Sequence, residues 1–381
     1  MKSLLDHLKE VKSGGWPVMK RKFLYPSDPK YLPTSNLLQS FTSLTHKIIN
    51  FLGGKYYLDS PLAVYDLSYQ QSTYDFAYFL YEADCYFTDK GYSQFHVIIV
   101  SQISSASPGS WEHSSGYSIH ITSDHKQQRI FNVLLPIASL YTSCASVNLI
   151  HDTKLITYIC RTHHAIYPRH YDGLFLRNMS YKDVFNYELQ QAKYSGLKAL
   201  KFDLDKVSSW LTSQSINQPF VTFTIRHYGF QPERNSNIPA YLEFSEYLSG
   251  MGIATVFIPD TEDLSYIDQI SKYPVFFAGA FNLYQRQAIY ELALTNIFNS
   301  NGCSALCALN KQCSYIMSSI ANKYWPAESH EARGLKYGSQ PFCDNRAVWE
   351  WEGETFVSLK KSFDLLLEKN PHWRSGHLKL N

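Results

Sequence analysis

Apolar residues in this chain fall into short unbroken runs separated by stretches of helical spacing. LAVYDL (62–67) and HVIIVSQI (96–103) are continuous runs of the kind that fill a parallel sheet covered on both faces. Between them, STYDFAYFLYEADCYFTDKG (72–91) repeats its apolar positions at helical spacing, with Ser72 as N-cap, Asp75 at the third helical position and a glycine stop. A helix follows at about 125–141, then a third strand, ASVNLI (145–150), and another helix opening at DTKLITYICR. This alternation predicts a doubly wound α/β sheet.

A second set of elements begins after a helix in FDLDKVSSWLTSQ. VTFTIR (221–226), ATVFIPD (254–260) and TNIFNS (295–300) read as strands, and PVFFAG (274–279) as a short strand or buried turn. The helices are IPAYLEFSEYLSGMG, LYQRQAIYELAL and CSALCALN, and FVSLKKSFDLLLEK is the last in the chain. Residues 315–355 show no clear period. The fold class is therefore α/β, with two Rossmann-like domains facing a cleft and an N-terminal helical extension. The predicted parts are a helical extension (1–60), a first Rossmann-like domain (61–165), a connector (166–215), a second Rossmann-like domain (216–345) and a C-terminal helix (346–381).

Bulk properties narrow the picture. A net charge of +2 gives no field that would favour nucleic acid. The seven cysteines are odd in number and lack a CxxC pair, which argues for reduced thiols and against a structural metal. The first residues lack the apolar core of a signal peptide, and no run reaches the roughly 18 apolar residues of a span. A cytoplasmic protein is expected. Lys2, Lys9, Lys12, Lys20, Arg21 and Lys22 with Leu4, Leu5, Leu8, Val11 and Trp16 offer a contact to the inner face of a membrane, against the plainer reading of a solvated packing helix. Neither unit carries GxGxxG or a Walker sequence, which disfavours dinucleotide oxidoreductases and P-loop kinases.

Two stretches carry candidate chemistry, Val221–Glu262 and Arg286–Leu309. Arg226 ends a strand, where its planar fork suits phosphate oxygens, although an ion pair with Asp260 or Glu262 is the plainer reading. Arg234 follows, and Asn235, Ser236 and Asn237 open the next helix, whose free N–H groups attract anions. Asp260 and Glu262 end a strand where a ribose hydroxyl donor is often accepted, and a helix cap accounts for Asp260 equally well. In NIFNSNGCSALCAL a strand ends at Asn301-Gly302 and a helix begins at once. Gly302 there permits close backbone approach and Ser304 supplies a hydroxyl, or the turn is a plain β–α connection. Arg286 and Glu291 lie on the preceding helix. As general bases the first unit offers Asp66, Asp75 and His163, with His151 and His164 beside them.

These residues carry a resemblance. The strand, S-N-G turn and small-residue helix resemble the donor site of two-domain GT-B glycosyltransferases, and are similar to heptosyltransferases; TIRHYGFQPERNSN is similar to the strand-terminal Arg region of fucosyltransferase-like enzymes. The stretch from about 60 to 350 resembles bacterial glycosyltransferase-like proteins of surface-polysaccharide loci. The resemblance implies transfer of a sugar from a nucleotide-sugar donor to a glycan or glycolipid hydroxyl, without metal or other cofactor. In this reading Arg226, Arg234 and the helix start at Gly302 stabilise the leaving diphosphate. Two alternatives remain: a nucleotide-sugar epimerase of the same architecture, or a non-catalytic nucleotide-sugar-binding or assembly protein.

Overall fold

The computed structural model describes residues 61–67, 70–101, 123–151, 153–163, 165–169, 171, 181–261 and 263–373. The expected N-terminal extension (1–60), Glu262, His164 and the last residues (374–381) lie outside the described residues. The chain divides into two compact units. One comprises Met1–Ser72, Glu82–Ile130 and Ser143–Met179, and the other Thr73–Tyr81, Phe131–Thr142 and Ser180–Asn381.

The first unit holds four parallel strands, β1 (Leu62–Asp66), β2 (Phe95–Val100), β3 (Cys144–Ile150) and β4 (Ile166–Tyr167), in the order β3-β2-β1-β4. Every residue of β1 is buried, which is why its sequence lacks alternation. Leu62, Val64, Ile98, Val100, Ile156 and Ile166 pack together on one side of this sheet.

The second unit holds five parallel strands, β5 (Phe220–Thr224), β6 (Ala254–Ile258), β7 (Thr295–Asn299), β8 (Tyr315–Ser318) and β9 (Ala347–Trp349). Their order is β6-β5-β7-β8-β9, so the winding direction reverses between β5 and β7. Phe223 sits at the heart of the core, its ring 4.6 Å from Tyr241 and 5.4 Å from Phe257. Burial of each such side chain is worth about 1.5–3 kcal/mol. A hydrogen-bonded polar cluster links β5 and β7 inside the sheet. Thr222 Oγ1 donates to Asn296 Oδ1 at 2.6 Å, and Asn296 Nδ2 donates to the carbonyls of Tyr290 and Ser314, each at 2.9 Å.

Several expectations need correction. The helix expected at 125–141 is three pieces, Ser123–Arg129, a π-helical turn at Ile130–Leu134, and Leu135–Leu140. Pro136, lacking an N–H, begins the last piece and accounts for the break. PVFFAG makes one bridge, Val275 to Phe257, before the short helix Ala278–Phe281. The helix Asp75–Thr88 starts at Asp75, with Thr73 Oγ1 accepting the Asp75 N–H at 3.4 Å, so Ser72 is not its cap. The helix after Gly302 spans only Ser304–Ala308. The expected connector contains the helix Tyr181–Leu189, and the stretch 315–355 contains the strands β8 and β9.

Candidate functional site

Ligands of open parallel sheets bind beyond the carboxyl ends of the strands, where the strand order reverses. In the second unit that place lies beyond β5 and β7. The loop after β5 (225–237), the turn after β7 (300–303) and the segment after β8 (319–333) supply its residues. The start of the helix Asp75–Thr88 also belongs here: a Cβ added to Gly302 would lie 2.7 Å from Tyr74 Cδ2. Gly302 therefore admits the Tyr74 ring, a contact that spacing along the chain does not reveal.

The loop after β5 is built around Arg226. Its guanidinium donates to the Phe230 carbonyl (2.5 Å), the Gln231 carbonyl (3.2 Å) and Asn235 Oδ1 (2.5 Å), and the residue is buried. This geometry makes Arg226 a strut for the loop, with hydrogen bonds from its fork to the chain's own carbonyls and to Asn235. Asn235 also accepts from the Tyr228 N–H. Asn237 caps the helix Ile238–Gly250, accepting from the Ala240 N–H, while its own N–H and Nδ2 donate to Glu354. Asp260 accepts two backbone N–H groups, from His227 (2.9 Å) and Thr261 (2.7 Å), and caps no helix. Arg234 reaches across to the Ser300 carbonyl at 2.5 Å and to Gln231 Oε1 at 2.8 Å, fastening this loop to the end of β7.

Arg286 is buried and donates to the Gly279 carbonyl (2.5 Å), the Ala280 carbonyl (3.4 Å) and Cys303 Sγ (2.5 Å). Glu291 accepts from the Ala199 N–H and Asn310 Nδ2, so it ties chain segments together. Ser304 Oγ donates to the Asn301 carbonyl at 2.6 Å. Asn301 Oδ1 is a buried acceptor without a hydrogen-bond partner. With five residues, the helix Ser304–Ala308 is too short to make the macrodipole the main attraction for an anion.

Asp75 is the carboxyl group of this region. Tyr181 donates its hydroxyl to Asp75 Oδ1 at 2.6 Å, and the Tyr181 ring lies 5.6 Å from Tyr78. Burial raises the Asp75 pKa above the ordinary carboxylate value, against the lowering effects of the Tyr181 and Thr73 hydroxyls and of two cations, Arg333 and Arg234. A carboxyl with raised proton affinity near guanidinium groups is suited to proton transfer beside an anion. Arg333 itself sits over the Trp325 ring, 4.2 Å from its centre, and its NH1 donates to the Ser329 carbonyl and hydroxyl. Lys323 and Tyr324 hold Glu233 at 2.9 and 2.6 Å, and together they lower its pKa to about 2, the Tyr324 hydroxyl contributing most. Tyr74, Tyr181, Trp325 and Arg333 were missed by the sequence reading. Pro326 followed by AESHE is a helix-start signal that would have flagged the segment bearing Arg333.

Two of the other expected bases, Asp66 and His163, belong to the first unit. Asp66 is buried at the end of β1 and accepts the Tyr171 hydroxyl at 2.8 Å, which removes it from solvent. His163 donates Nδ1–H to the Ile159 carbonyl at 2.9 Å. The chain contains one DxD triplet among the described residues, Asp203-Leu204-Asp205, on the helix Lys201–Ser213. Asp203 is buried and Asp205 exposed, as i, i+2 helical spacing dictates, so the two do not converge on one ion. Among the described residues no group of three or more His, Cys, Asp or Glu could hold a metal ion, and no helix is long and apolar enough to cross a membrane.

No protein-family model and no curated protein matches this chain. Among solved structures it is similar to a family 9 glycosyl transferase from Veillonella parvula DSM 2008, with a TM-score of 0.44, 15% identity, and coverage of 82% of this chain and 98% of that one. It is also similar to the E. coli ADP-heptose LPS heptosyltransferase II (TM-score 0.41, 12% identity, 81% and 99% covered) and to E. coli heptosyltransferase WaaC with ADP (0.39, 9%, 81% and 98%). The heptosyltransferases named in the sequence resemblance are thus among the solved structures this chain is similar to.

Proposed function

We propose that this protein is a glycosyltransferase of the GT-B kind, moving a sugar from a nucleotide-activated donor to a hydroxyl acceptor. The second unit would hold the donor. One observation carries this reading: at the β5/β7 reversal, a single carboxyl group, Asp75, lies within electrostatic range of two guanidinium groups on different loops, Arg234 and Arg333. A departing nucleoside diphosphate gains negative charge as the glycosidic bond breaks, and fixed cations lower the energy of that state. Asp75, with its raised proton affinity, is the base we assign to the acceptor hydroxyl. The chemistry needs no metal in this scheme. The resemblance to proteins of surface-polysaccharide loci would place the transfer in polysaccharide or lipopolysaccharide assembly.

The test is a thermal-shift screen with UDP, GDP, ADP, CMP and their sugar conjugates, followed by assay of nucleoside diphosphate release. A ligand that binds only the folded state raises the melting temperature. Release that depends on an added glycan or glycolipid acceptor supports transfer. Absence of any shift at millimolar ligand sinks the donor-site reading.

A further inference from the structure

We propose that Arg333, seated on Trp325, is the residue that grips the phosphate or diphosphate of the ligand. The proposal deepens the donor-site reading and rests on it for the identity of the ligand, while the anion site itself stands on geometry.

The arginines of the second unit differ in how their donors are used. Arg226 and Arg286 spend their forks on carbonyls, an amide oxygen and a thiol of their own chain. Arg346 is held by Asp344 at 2.9 Å and by the carbonyls of Asn310 and Cys313. Arg333 uses only NH1, at 3.3 and 3.1 Å from the Ser329 carbonyl and hydroxyl. Its Nε–NH2 edge has no hydrogen-bond partner among the described residues, and no carboxylate among them forms an ion pair with it. That edge is the pair of parallel N–H donors that matches two phosphate oxygens.

The platform under Arg333 is firm. Trp325 carries the guanidinium over its ring, 4.2 Å from the ring centre. The short helix Ala327–Glu331 is pinned by His330, whose Nε2–H donates to the Ile320 carbonyl at 2.8 Å and whose ring meets Trp351 edge-on. The Arg333 N–H returns to the His330 carbonyl at 2.9 Å. A half-buried cation without a directly paired carboxylate is costly, and an incoming anion lowers that cost. Asp75 is in electrostatic range but is not paired with Arg333; it accepts from Tyr181 instead. The arrangement therefore keeps a cation and a carboxyl apart, which leaves the cation for a ligand.

Titration calorimetry with inorganic pyrophosphate tests this on the full chain. The unaltered protein should bind pyrophosphate, and Arg333→Ala should weaken binding about 10- to 100-fold, the loss of a bidentate charge-assisted contact. Arg333→Lys should recover little, because a point charge lacks the fork. Arg333→Gln keeps a stem on Trp325 and serves if the alanine variant folds poorly; melting temperature separates folding from binding. Lys272→Ala, removing an exposed cation elsewhere, should leave the affinity unchanged. Failure of the unaltered protein to bind pyrophosphate, or equal affinity in Arg333→Ala, overturns the proposal. If nucleotides still shift the melting temperature in either case, the donor reading survives without Arg333. If pyrophosphate binds through Arg333 but no nucleotide does, the anion site stands and the donor reading falls.

Discussion

Gly302→Ala offers the most direct test of how the candidate site is assembled. The added methyl would lie 2.7 Å from Tyr74 Cδ2 and 3.2 Å from its Cβ and Cγ. Comfortable carbon contacts are about 3.5–4.0 Å, so one contact overlaps heavily and two others moderately. The crowded atoms are at the root of the ring, so no swing of its far end relieves them. Overpacking of this kind costs about 1–3 kcal/mol. Gly302 does not occupy the left-handed region, so there is no strain to add, and loss of glycine freedom in the unfolded chain returns about 0.4–1 kcal/mol. The net expectation is a loss of roughly 0.5–2 kcal/mol in a background where Tyr74 is present. In Tyr74→Ala the clash is gone and the same substitution should be neutral or mildly stabilising. The assay is a double-mutant cycle by urea unfolding, with hydrogen exchange at β7 used to follow the second unit by itself, because two units need not unfold together. Equal effects of Gly302→Ala in both backgrounds, within about 0.5 kcal/mol, would refute the contact as the reason for the glycine.

Arg226→Ala should destabilise the second unit by roughly 2–4 kcal/mol, the loss of buried hydrogen bonds from a charged group, and speed exchange of amides in the loop after β5 whether or not ligand is present; a change confined to ligand affinity would count against the strut. Asp75→Asn should lower turnover about 10²- to 10⁴-fold. Because burial raises the Asp75 pKa, the acid limb of the unaltered enzyme's pH profile should lie above the ordinary carboxylate range, and Tyr181→Phe, removing a bond that lowers it, should move the limb higher still. A limb that stays put in Tyr181→Phe contradicts the assignment. Glu354 is also raised by burial, opposed by its bonds from Tyr241, Asn237 and Ser318. A carboxyl raised on folding contributes stability below its unfolded pKa and loses it as pH climbs through the folded one, so the stability difference should shift toward Glu354→Gln as pH rises above the ordinary glutamate range; a difference that does not vary with pH would contradict it.

The strands that could be read from the sequence are those with five or more apolar residues in a row or nearly so, such as β1, β2 and β6. β8 and β9 have four and three residues, and only pairing, of β8 with β7 and of β9 with β8, makes them strands. Residue types at strand ends were legible as well: Arg226 and Ser300 do stand beyond β5 and β7. What each side chain does was not legible, because the deciding partners are backbone carbonyls or distant residues. Arg226 bends back to carbonyls four and five positions on, and Gly302 answers to Tyr74. Neither relation leaves a mark in local spacing. Arg333 was hidden for a related reason: its stretch has no hydrophobic period, and its significance lies in which donors remain unused.

The brace between Asn237 and Glu354 has a consequence for how the protein is made. The two residues are 117 positions apart, and Glu354 receives the Asn237 N–H while its carbonyl receives Asn237 Nδ2. At ribosomal rates of about 5–20 residues per second, about 6–23 s pass between synthesis of the cap and synthesis of its brace. During that interval β5, β6 and β7 can already pair and Arg234 can reach the Ser300 carbonyl, but the loop lacks its brace at Asn237. The nascent chain therefore presents an open, partly apolar sheet edge to chaperones until its last strand and Glu354 have left the ribosome, and a message cut short before that codon would yield a chain that folds its centre yet never latches its site.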